Sequence, residues 1–115
     1  MAESFRVDVV SPETVVWSGD AELVTARTTE GDIGIMAGHE ATMAALATGS
    51  AEIHAGKEKI TVAVHGGFLQ IYRNQVTLLS DRAEIVEGDA DAAREHAETL
   101  RQAEESASEE DESQS

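Results

Sequence analysis

The 115-residue chain has no cysteine, one proline and only four aromatic side chains, Phe5, Trp17, Phe68 and Tyr72. Without cysteine there is no disulfide, no thiolate metal site and no cysteine nucleophile, which fits a reducing cytosol. Because aromatics are scarce, Val, Ile, Leu, Ala and Met must form the core. The length indicates one compact domain.

Long apolar runs and basic residues are also scarce. No stretch approaches the roughly 18 apolar residues of a membrane span, and the charged N-terminus does not resemble a signal peptide. We therefore expect a soluble, unexported protein with no direct membrane insertion. The net charge is −15, and residues 84–115 hold 12 acidic and two basic residues. Such acidity disfavours nucleic acid and anionic lipid as partners and favours a basic partner or simple solubility.

Short strands with frequent turns dominate residues 5–83. In FRVDVV, Phe5, Val7 and Val9 alternate with polar residues, and KITVAVH places Ile60, Val62 and Val64 on one face. We predict a mainly β fold, a flattened antiparallel β-sandwich or a flattened barrel, of nine or so short strands over residues 1–87, with no βαβ unit.

Two short segments predict tight turns between these strands. GKE, residues 56–58, predicts a hairpin with a glycine in a three-residue loop, and Asn74-Gln75 predicts a second tight turn.

The pattern changes to helical after Gly88. Residues 88–105 are rich in helix formers, with Asp89 as the N-cap. A thin apolar stripe follows at helical spacing: Ala90, Ala93, Ala97 and Leu100. We predict a C-terminal helix over 88–105 and a disordered acidic tail over 106–115.

Candidate catalytic residues are few. HGG at His65–Gly67 is similar to the oxyanion-hole loop of esterases, but no G-x-S-x-G nucleophile turn is present, so we predict an ordinary turn there. The four histidines lack metal-site spacing, and no phosphate-binding loop occurs. We predict no catalytic residue, no metal, no cofactor and no enzymatic activity.

Four motifs in register are similar to those of a known family. EGDIGIMAGHEAT resembles the hallmark E-G-x-[IL]-G-I-x-P-G-H-x-P of the epsilon subunit of bacterial F-type ATP synthases. FRVDVVSPETVVWSGDAELVTART resembles that family's opening strands, and VHGGFLQIYRNQVTLLSDRAE resembles a later segment. An acidic D-x-x-R then begins a helix. The resemblance covers residues 4 to about 105.

This resemblance implies a ten-strand β-sandwich followed by C-terminal helices, and a non-catalytic role in the central stalk of the rotor. Its partners are the gamma subunit and the c-ring and, where the helices extend, the alpha/beta catalytic head. By this resemblance Glu30, Gly31 and Asp32 contact the c-ring, while Gly38 and His39 face gamma. The implied location is the cytoplasmic face of the plasma membrane, as a peripheral protein coupling proton transport to ATP synthesis.

The chain also departs from the family pattern. Ala37 and Ala41 replace two prolines, which should loosen the loop around His39. Asp91 and Arg94 match part of a nucleotide-binding motif, but the altered flanking residues argue against ATP binding. We expect a C-terminally shortened member, in which inhibition of hydrolysis by helix insertion is weak or lost.

Two alternatives remain at this stage. One is an unrelated β-sandwich binding module whose acidic tail contacts a basic partner. The other is a small hydrolase that uses His65, and no other feature of the sequence supports this alternative.

Overall fold

The computed structural model describes residues 3–88 and 90–113 as ten strands and one helix. The strands are β1 Phe5–Val10, β2 Val15–Ala21, β3 Leu23–Thr28, β4 Gly31–Ile35, β5 Thr42–Ala45, β6 Gly49–Ala55, β7 Glu58–His65, β8 Phe68–Tyr72, β9 Gln75–Leu79 and β10 Arg82–Val86. The helix is α1 Ala90–Ser113. The predicted mainly β fold is confirmed.

The strands form two five-stranded sheets. Sheet A has the strand order β2-β1-β9-β8-β5, and sheet B has the order β10-β7-β6-β3-β4. All neighbouring pairs are antiparallel except β1 and β9, which are parallel. The predicted antiparallel sandwich is confirmed, with the parallel β1–β9 pair as its exception. The physical reason is that sheet A combines segments far apart in the chain, so no short hairpin constrains β1 and β9 to run in opposite directions.

The core lies between the two sheets. The predicted alternation in β1 is confirmed, because Phe5, Val7 and Val9 are all buried. In β7, Val62 and Val64 face the same core, with Ile60 partly buried against it. The remaining buried members are all apolar: Ala21, Val24, Ala26, Ile35, Leu46, Ala51, Ile53, Leu69, Ile71, Val76 and Leu78. Each such Val, Ile or Leu contributes about 1.5–3 kcal/mol relative to exposure.

The two predicted turns exist, with shifted boundaries. β6 and β7 are joined by Gly56 and Lys57 alone, because Glu58 already belongs to β7. The second loop is Arg73-Asn74 rather than Asn74-Gln75. Arg73 and Asn74 have φ of 49° and 59°. Positive φ at both central residues is the hairpin geometry that matches strand twist, and asparagine tolerates it.

Helix α1 packs on the outer face of sheet B. Ala93 and Ala97 are fully buried against Ala63 of β7, with Val86 and Leu100 partly buried at the margins. β7 is buried on both faces because Val62 and Val64 face the core and Ala63 is covered by the helix. The predicted N-cap, Asp89, lies outside the described residues, as does the side chain of Ala90.

The helix is longer than predicted. It continues to Ser113, so the predicted helix end at 105 is wrong, and residues 106–113 of the predicted disordered tail are helical. No glycine or proline interrupts residues 89–113, and Arg101 forms ion pairs with Glu98 and Glu105 one turn away on either side. Pairs at this spacing support a helix. Residues 114–115 lie outside the described residues.

Candidate interaction surfaces

The acidic turn predicted as a contact site joins β3 to β4. Gly31 has φ of +125°, a conformation that favours glycine. The hydroxyl of Thr28 donates to the carbonyl of Gly31 at 2.7 Å and accepts from the amide of Glu30 at 3.2 Å. These bonds fix the turn and leave the Glu30 carboxylate exposed.

Asp32 is oriented differently from Glu30. It is the second residue of β4 and pairs in register with Arg27 of β3. Arg27 Nε lies 3.2 Å from Asp32 Oδ1, and both side chains are exposed on the outer face of sheet B. One of the two predicted carboxylates therefore already has a cationic partner, whereas no ion pair of Glu30 is found among the residues that the structure describes.

The Gly38-His39 segment lies in the loop that leads from β4 of sheet B to β5 of sheet A. Gly38 has φ of +84°, and its amide donates to Asn74 Oδ1 at 2.7 Å. His39 Nδ1 lies 2.9 Å from the carbonyl oxygen of Glu40. The contact with Asn74 ties this loop to the β8–β9 turn and supplies part of the restraint that the absent prolines would give.

The structure does not bring the two predicted contact sites together. The Glu30-Gly31 turn precedes β4, and the Gly38-His39 loop follows it. Since β4 spans five residues, or about 13 Å at the rise of a strand, the two sites lie at opposite ends of the sandwich. The Glu30-Gly31 turn borders sheet A through Thr29, whose amide donates to the carbonyl oxygen of Ala45 in β5 at 3.0 Å, and the Gly38-His39 loop borders it through Asn74.

An apolar row that the sequence predictions missed crosses the outer face of sheet A. Val15 pairs with Val10, Val10 with Leu79, Leu79 with Phe68, and Phe68 with Ala45. Phe68 is 56% exposed and Leu79 is 48% exposed. We call this set of five the apolar row. Part of its signal was present in the sequence, because Phe68 and Leu79 are apolar at outward strand positions, although the outward residues Gln70, Gln75 and Thr77 are polar.

Two further exposed side chains extend this surface toward the Gly38-His39 loop. Met43 of β5 pairs with Gln70 of β8, and Tyr72 is the next outward residue of β8. Both are more than half exposed. Gln70 lies between these side chains and Phe68, so the exposed apolar side chains form a group rather than an unbroken patch, and such a group is a candidate protein contact.

Asp91 and Arg94, the weak nucleotide candidates, form an ion pair with each other in the first turns of α1. Arg94 borders an open groove of about 330 Å³ beside β3, β4 and β6. Arg27, Glu52 and Asp32 also line this groove, so its charges are mixed. The absence of nucleotide binding at Asp91 and Arg94 stays a prediction.

His65 forms a structural contact. Its Nδ1 lies 2.7 Å from Thr48 Oγ1, and its Nε2 lies 3.2 Å from Glu104 Oε2 of α1. A hydroxyl, an imidazole and a carboxylate thus follow one another, as in a hydrolase. However, the carbonyl oxygens of His65 and Gly66 point at the hydroxyl of Ser80, whereas an oxyanion hole requires N–H donors.

Glycine is required in the same turn for packing. Gly67 has φ of +98°, and a Cβ there would overlap the Leu79 carbonyl oxygen and lie 2.7 Å from Ser80 Cα. The HGG segment is therefore a tight turn between β7 and β8, as the sequence predicted.

Among the side chains that the structure describes, those of residues 3–88 and 91–106, no group of three or more His, Asp or Glu could hold a metal ion. In the part of the chain that the structure describes, no helix combines the length and apolar character that crossing a lipid bilayer requires.

The fold is a two-sheet β-sandwich with an apolar row on one outer face and a helix packed on the other. The family described as "ATP synthase, Delta/Epsilon chain, beta-sandwich domain" matches residues 4–86. The chain belongs to this family.

Two curated relatives carry the name ATP synthase epsilon chain. The chain is 42% identical over 95 residues to the ATP synthase epsilon chain of Streptomyces avermitilis, covering 82% of this chain and 76% of the relative. It is 45% identical over 97 residues to the epsilon chain of Rhodococcus opacus, covering 82% and 79%. The predictions of an epsilon-type and non-catalytic subunit are confirmed.

Solved structures show the same likeness. A chain in the cryo-EM structure of the Euglena gracilis mitochondrial ATP synthase, OSCP/F1/c-ring, is 26% identical with a TM-score of 0.69. The match covers 88% of this chain and 64% of that one. A chain of the Tetrahymena thermophila mitochondrial ATP synthase central stalk and c-ring, 16% identical with a TM-score of 0.60, shares the fold.

Proposed function

We propose that the chain is a rotor subunit of a proton-translocating F-type ATP synthase, where it links the gamma subunit to the c-ring and couples proton transport to ATP synthesis. Family membership and the likeness to the Euglena complex support this role. The proposed location is the cytoplasmic face of the plasma membrane, with the chain attached through its protein partners.

The observation that carries the proposal is the difference between the two outer faces. Helix α1 packs on β6, β7 and β10 of sheet B, whereas the apolar row exposes Phe68 and Leu79 on the outer face of sheet A. A subunit that must turn with gamma without slipping needs a broad, rigid contact, and a β-sheet face provides one. We assign the outer face of sheet A to gamma, with the Gly38-His39 loop at its border.

The acidic Glu30-Gly31 turn lies at the other end of β4, at the same end of the sandwich as the apolar row. We assign this turn to the c-ring, with Asp32 and Arg27 beside it. The exposed carboxylate of Glu30 would pair with basic loops of the ring, a charge-assisted contact that is stronger than a neutral hydrogen bond. Each partner then meets a different part of one rigid body.

Copurification tests this proposal. The tagged chain should retain gamma and the c-ring from detergent-solubilised membranes, and Phe68→Asp together with Leu79→Asp should release gamma. Ile85→Asp is the matched control, because Ile85 is 51% exposed but lies on β10 of sheet B. A wild-type chain that retains neither partner would contradict the proposal and favour the alternative of an unrelated binding module.

Glu30→Lys separates the two assignments. A reversed charge in the turn should weaken retention of the c-ring while gamma stays bound. Loss of gamma with this variant, or an unchanged c-ring contact, would show that the turn does not have the assigned role.

Nucleotide binding is not part of the proposed function. Titration calorimetry with millimolar ATP should give no binding heat, and Arg94→Ala should not change the result. Saturable heat that Arg94→Ala abolishes would contradict this expectation.

A further inference from the structure

Two arginines lie at the end of sheet A that is opposite to the apolar row. Arg6 of β1 is four residues before Val10 of the row, a distance of about 13 Å along the strand. The guanidinium carbon of Arg73, in the β8–β9 turn, lies 5.4 Å from the ring centre of Tyr72, an outward residue of β8. The other six of the eight basic residues lie on sheet B, in its β6–β7 turn or on α1: Arg27, Lys57, Lys59, Arg82, Arg94 and Arg101. Sheet A therefore has positive charges of its own within a strongly acidic chain.

A hydrogen-bond network around Asp8 holds the Arg6 side chain on the outer face. Asp8 Oδ1 accepts from the Ser18 hydroxyl and lies 3.4 Å from Arg6 Nη2. Gln75 Nε2 donates to Asp8 Oδ2 at 2.8 Å. Both carboxylate oxygens of Asp8 are thus engaged within sheet A. The Arg6 side chain is 52% exposed and makes its contacts through Nη2, so among the described residues its Nε and Nη1 have no acceptor.

Arg73 occupies a strained backbone position. Its φ is 49°, in the left-handed region where asparagine or glycine costs less than arginine. Strain of this kind is concentrated at functional sites. In the part of the chain that the structure describes, Arg73 has no ion pair, and its guanidinium lies over Tyr72. Tyr72 and Arg6 lie two strands apart, about 10 Å, with Gln75 between them, so one partner segment can contact both arginines.

The acidic residues of this face leave one side of Arg6 open to a negative group. Asp20 of the edge strand β2 pairs in register with Arg6, although the guanidinium contacts Asp8 instead. A negative charge on the β2 side disfavours an approaching carboxylate there. On the other side the register neighbour of Arg6 is Gln75, which is uncharged. The favoured position for a carboxylate of a partner is therefore above Gln75, between Arg6 and Arg73.

We propose that Arg6 and Arg73 bind a carboxylate-bearing segment of the gamma subunit, and that Asp8 positions Arg6 for this contact. The inference rests on the proposed binding of gamma to sheet A and adds the chemistry of the partner. Gamma presents apolar side chains to the apolar row and at least one carboxylate about 13 Å further along β1. Arginine suits this role because it donates two parallel hydrogen bonds to one carboxylate. The arginines fix the orientation of gamma, since the reversed orientation would place the carboxylate over Val10 and Leu79.

Calorimetric titration of the full chain into an α3β3γ complex that lacks it tests this contact. Arg6→Gln should weaken binding about fivefold to 20-fold at roughly 50 mM salt, and by less at roughly 500 mM, because salt screens the lost contact. Arg27→Gln is the matched control, since the Arg27 side chain is 50% exposed but lies on the outer face of sheet B. Both variants change the net charge equally, so a difference between them reports a local contact.

Arg73→Asn separates binding from folding. Asparagine relieves the strain at positive φ, so Tm should stay unchanged or rise, while affinity for the complex should fall about threefold to tenfold. A purely structural role for Arg73 would change stability and affinity in the same direction, and that result would overturn its part in the contact.

Asp8→Asn tests the positioning role. This variant should weaken binding severalfold in the parent chain and cause no further loss in the Arg6→Gln background, because Asp8 acts through Arg6. If Asp8 only repelled an acidic partner, Asp8→Asn would strengthen binding. Stronger binding, or an equal loss in both backgrounds, would overturn the positioning role.

The same titrations distinguish this inference from the proposed function. Failure of the parent chain to bind the complex would contradict both. If Phe68→Asp with Leu79→Asp abolishes binding while Arg6→Gln and Arg73→Asn bind as tightly as the parent, sheet A binds gamma and the arginine contact is overturned. Equal losses for Arg6→Gln and Arg27→Gln would also overturn it.

Discussion

Phe68→Ala removes the largest side chain of the apolar row without touching the core. A phenylalanine buries about 150–250 Å² when fully covered, and Phe68 is 56% exposed, so about 110 Å² remains for a partner. At about 25 cal/mol per Å² this area corresponds to about 2.8 kcal/mol, or roughly a hundredfold in Kd. The change in folding stability should stay within about 1 kcal/mol, because the ring is outside the core.

The assay is a calorimetric titration of the chain into an α3β3γ complex that lacks it. Phe68→Ala should weaken binding by roughly 30-fold to 100-fold, while Ile85→Ala, with similar exposure on sheet B, should leave affinity within about twofold. A loss below about threefold for Phe68→Ala, or an equal loss for Ile85→Ala, would refute the assignment of sheet A to gamma.

Three other changes have defined outcomes. Gly67→Ala places a Cβ on a residue with positive φ and overlaps the backbone of Leu79, so it should destabilise the chain by about 3 kcal/mol and lower Tm by roughly 10–20 °C. Gly34→Ala is the control and should leave Tm unchanged, because no atom lies within 4 Å of its added Cβ. The pKa of Asp8 is lowered from 3.8, chiefly by the hydrogen bond from the Ser18 hydroxyl. The ionised carboxylate of Asp8 therefore stabilises the fold above pH 3.8, and this stabilisation is lost as pH falls through the lowered pKa. Asp8→Asn should therefore flatten the acid limb of stability measured by urea unfolding, and an unchanged limb would contradict this. Removing residues 88–115 should leave ATP hydrolysis by the purified complex nearly unchanged; a several-fold rise would show that the helix inhibits.

Local patterns predicted most of the individual strands. The alternation of Phe5, Val7 and Val9 was sufficient for β1, because period-two burial depends only on neighbouring residues. The pairing of β1 with β9 was not predictable in this way, since the pattern of a strand does not specify which distant strand lies beside it. The same limit applies to the apolar row, whose continuity depends on cross-strand register.

The candidate site was predicted in part. The sequence identified the Glu30-Gly31 turn as an exposed acidic feature, but not the pairing of Asp32 with Arg27. The sequence also did not predict the hydrogen bond from the Gly38 amide to the Asn74 side chain, because the two residues are far apart in the chain. Asparagine is common in turns because its side chain bonds to nearby backbone, so its presence at position 74 did not indicate a distant partner. The helix end at 105 was wrong because low hydrophobicity was taken as disorder, although serine and glutamate continue a helix that contains no breaker.

The parallel pairing of β1 with β9 has a consequence for biosynthesis. β1, the first strand to be synthesised, lies between β2 and β9 in sheet A. Because Arg6 pairs in register with Gln75 of β9, the edge of β1 that faces β9 stays unpaired until most of the chain has been made. At about 5–20 residues per second, roughly 3–14 s of translation separate the two strands. During that interval the β1–β2 hairpin presents an unpaired edge on the ribosome, so sheet A closes late and its completion sets the earliest time at which the chain can assemble with other subunits.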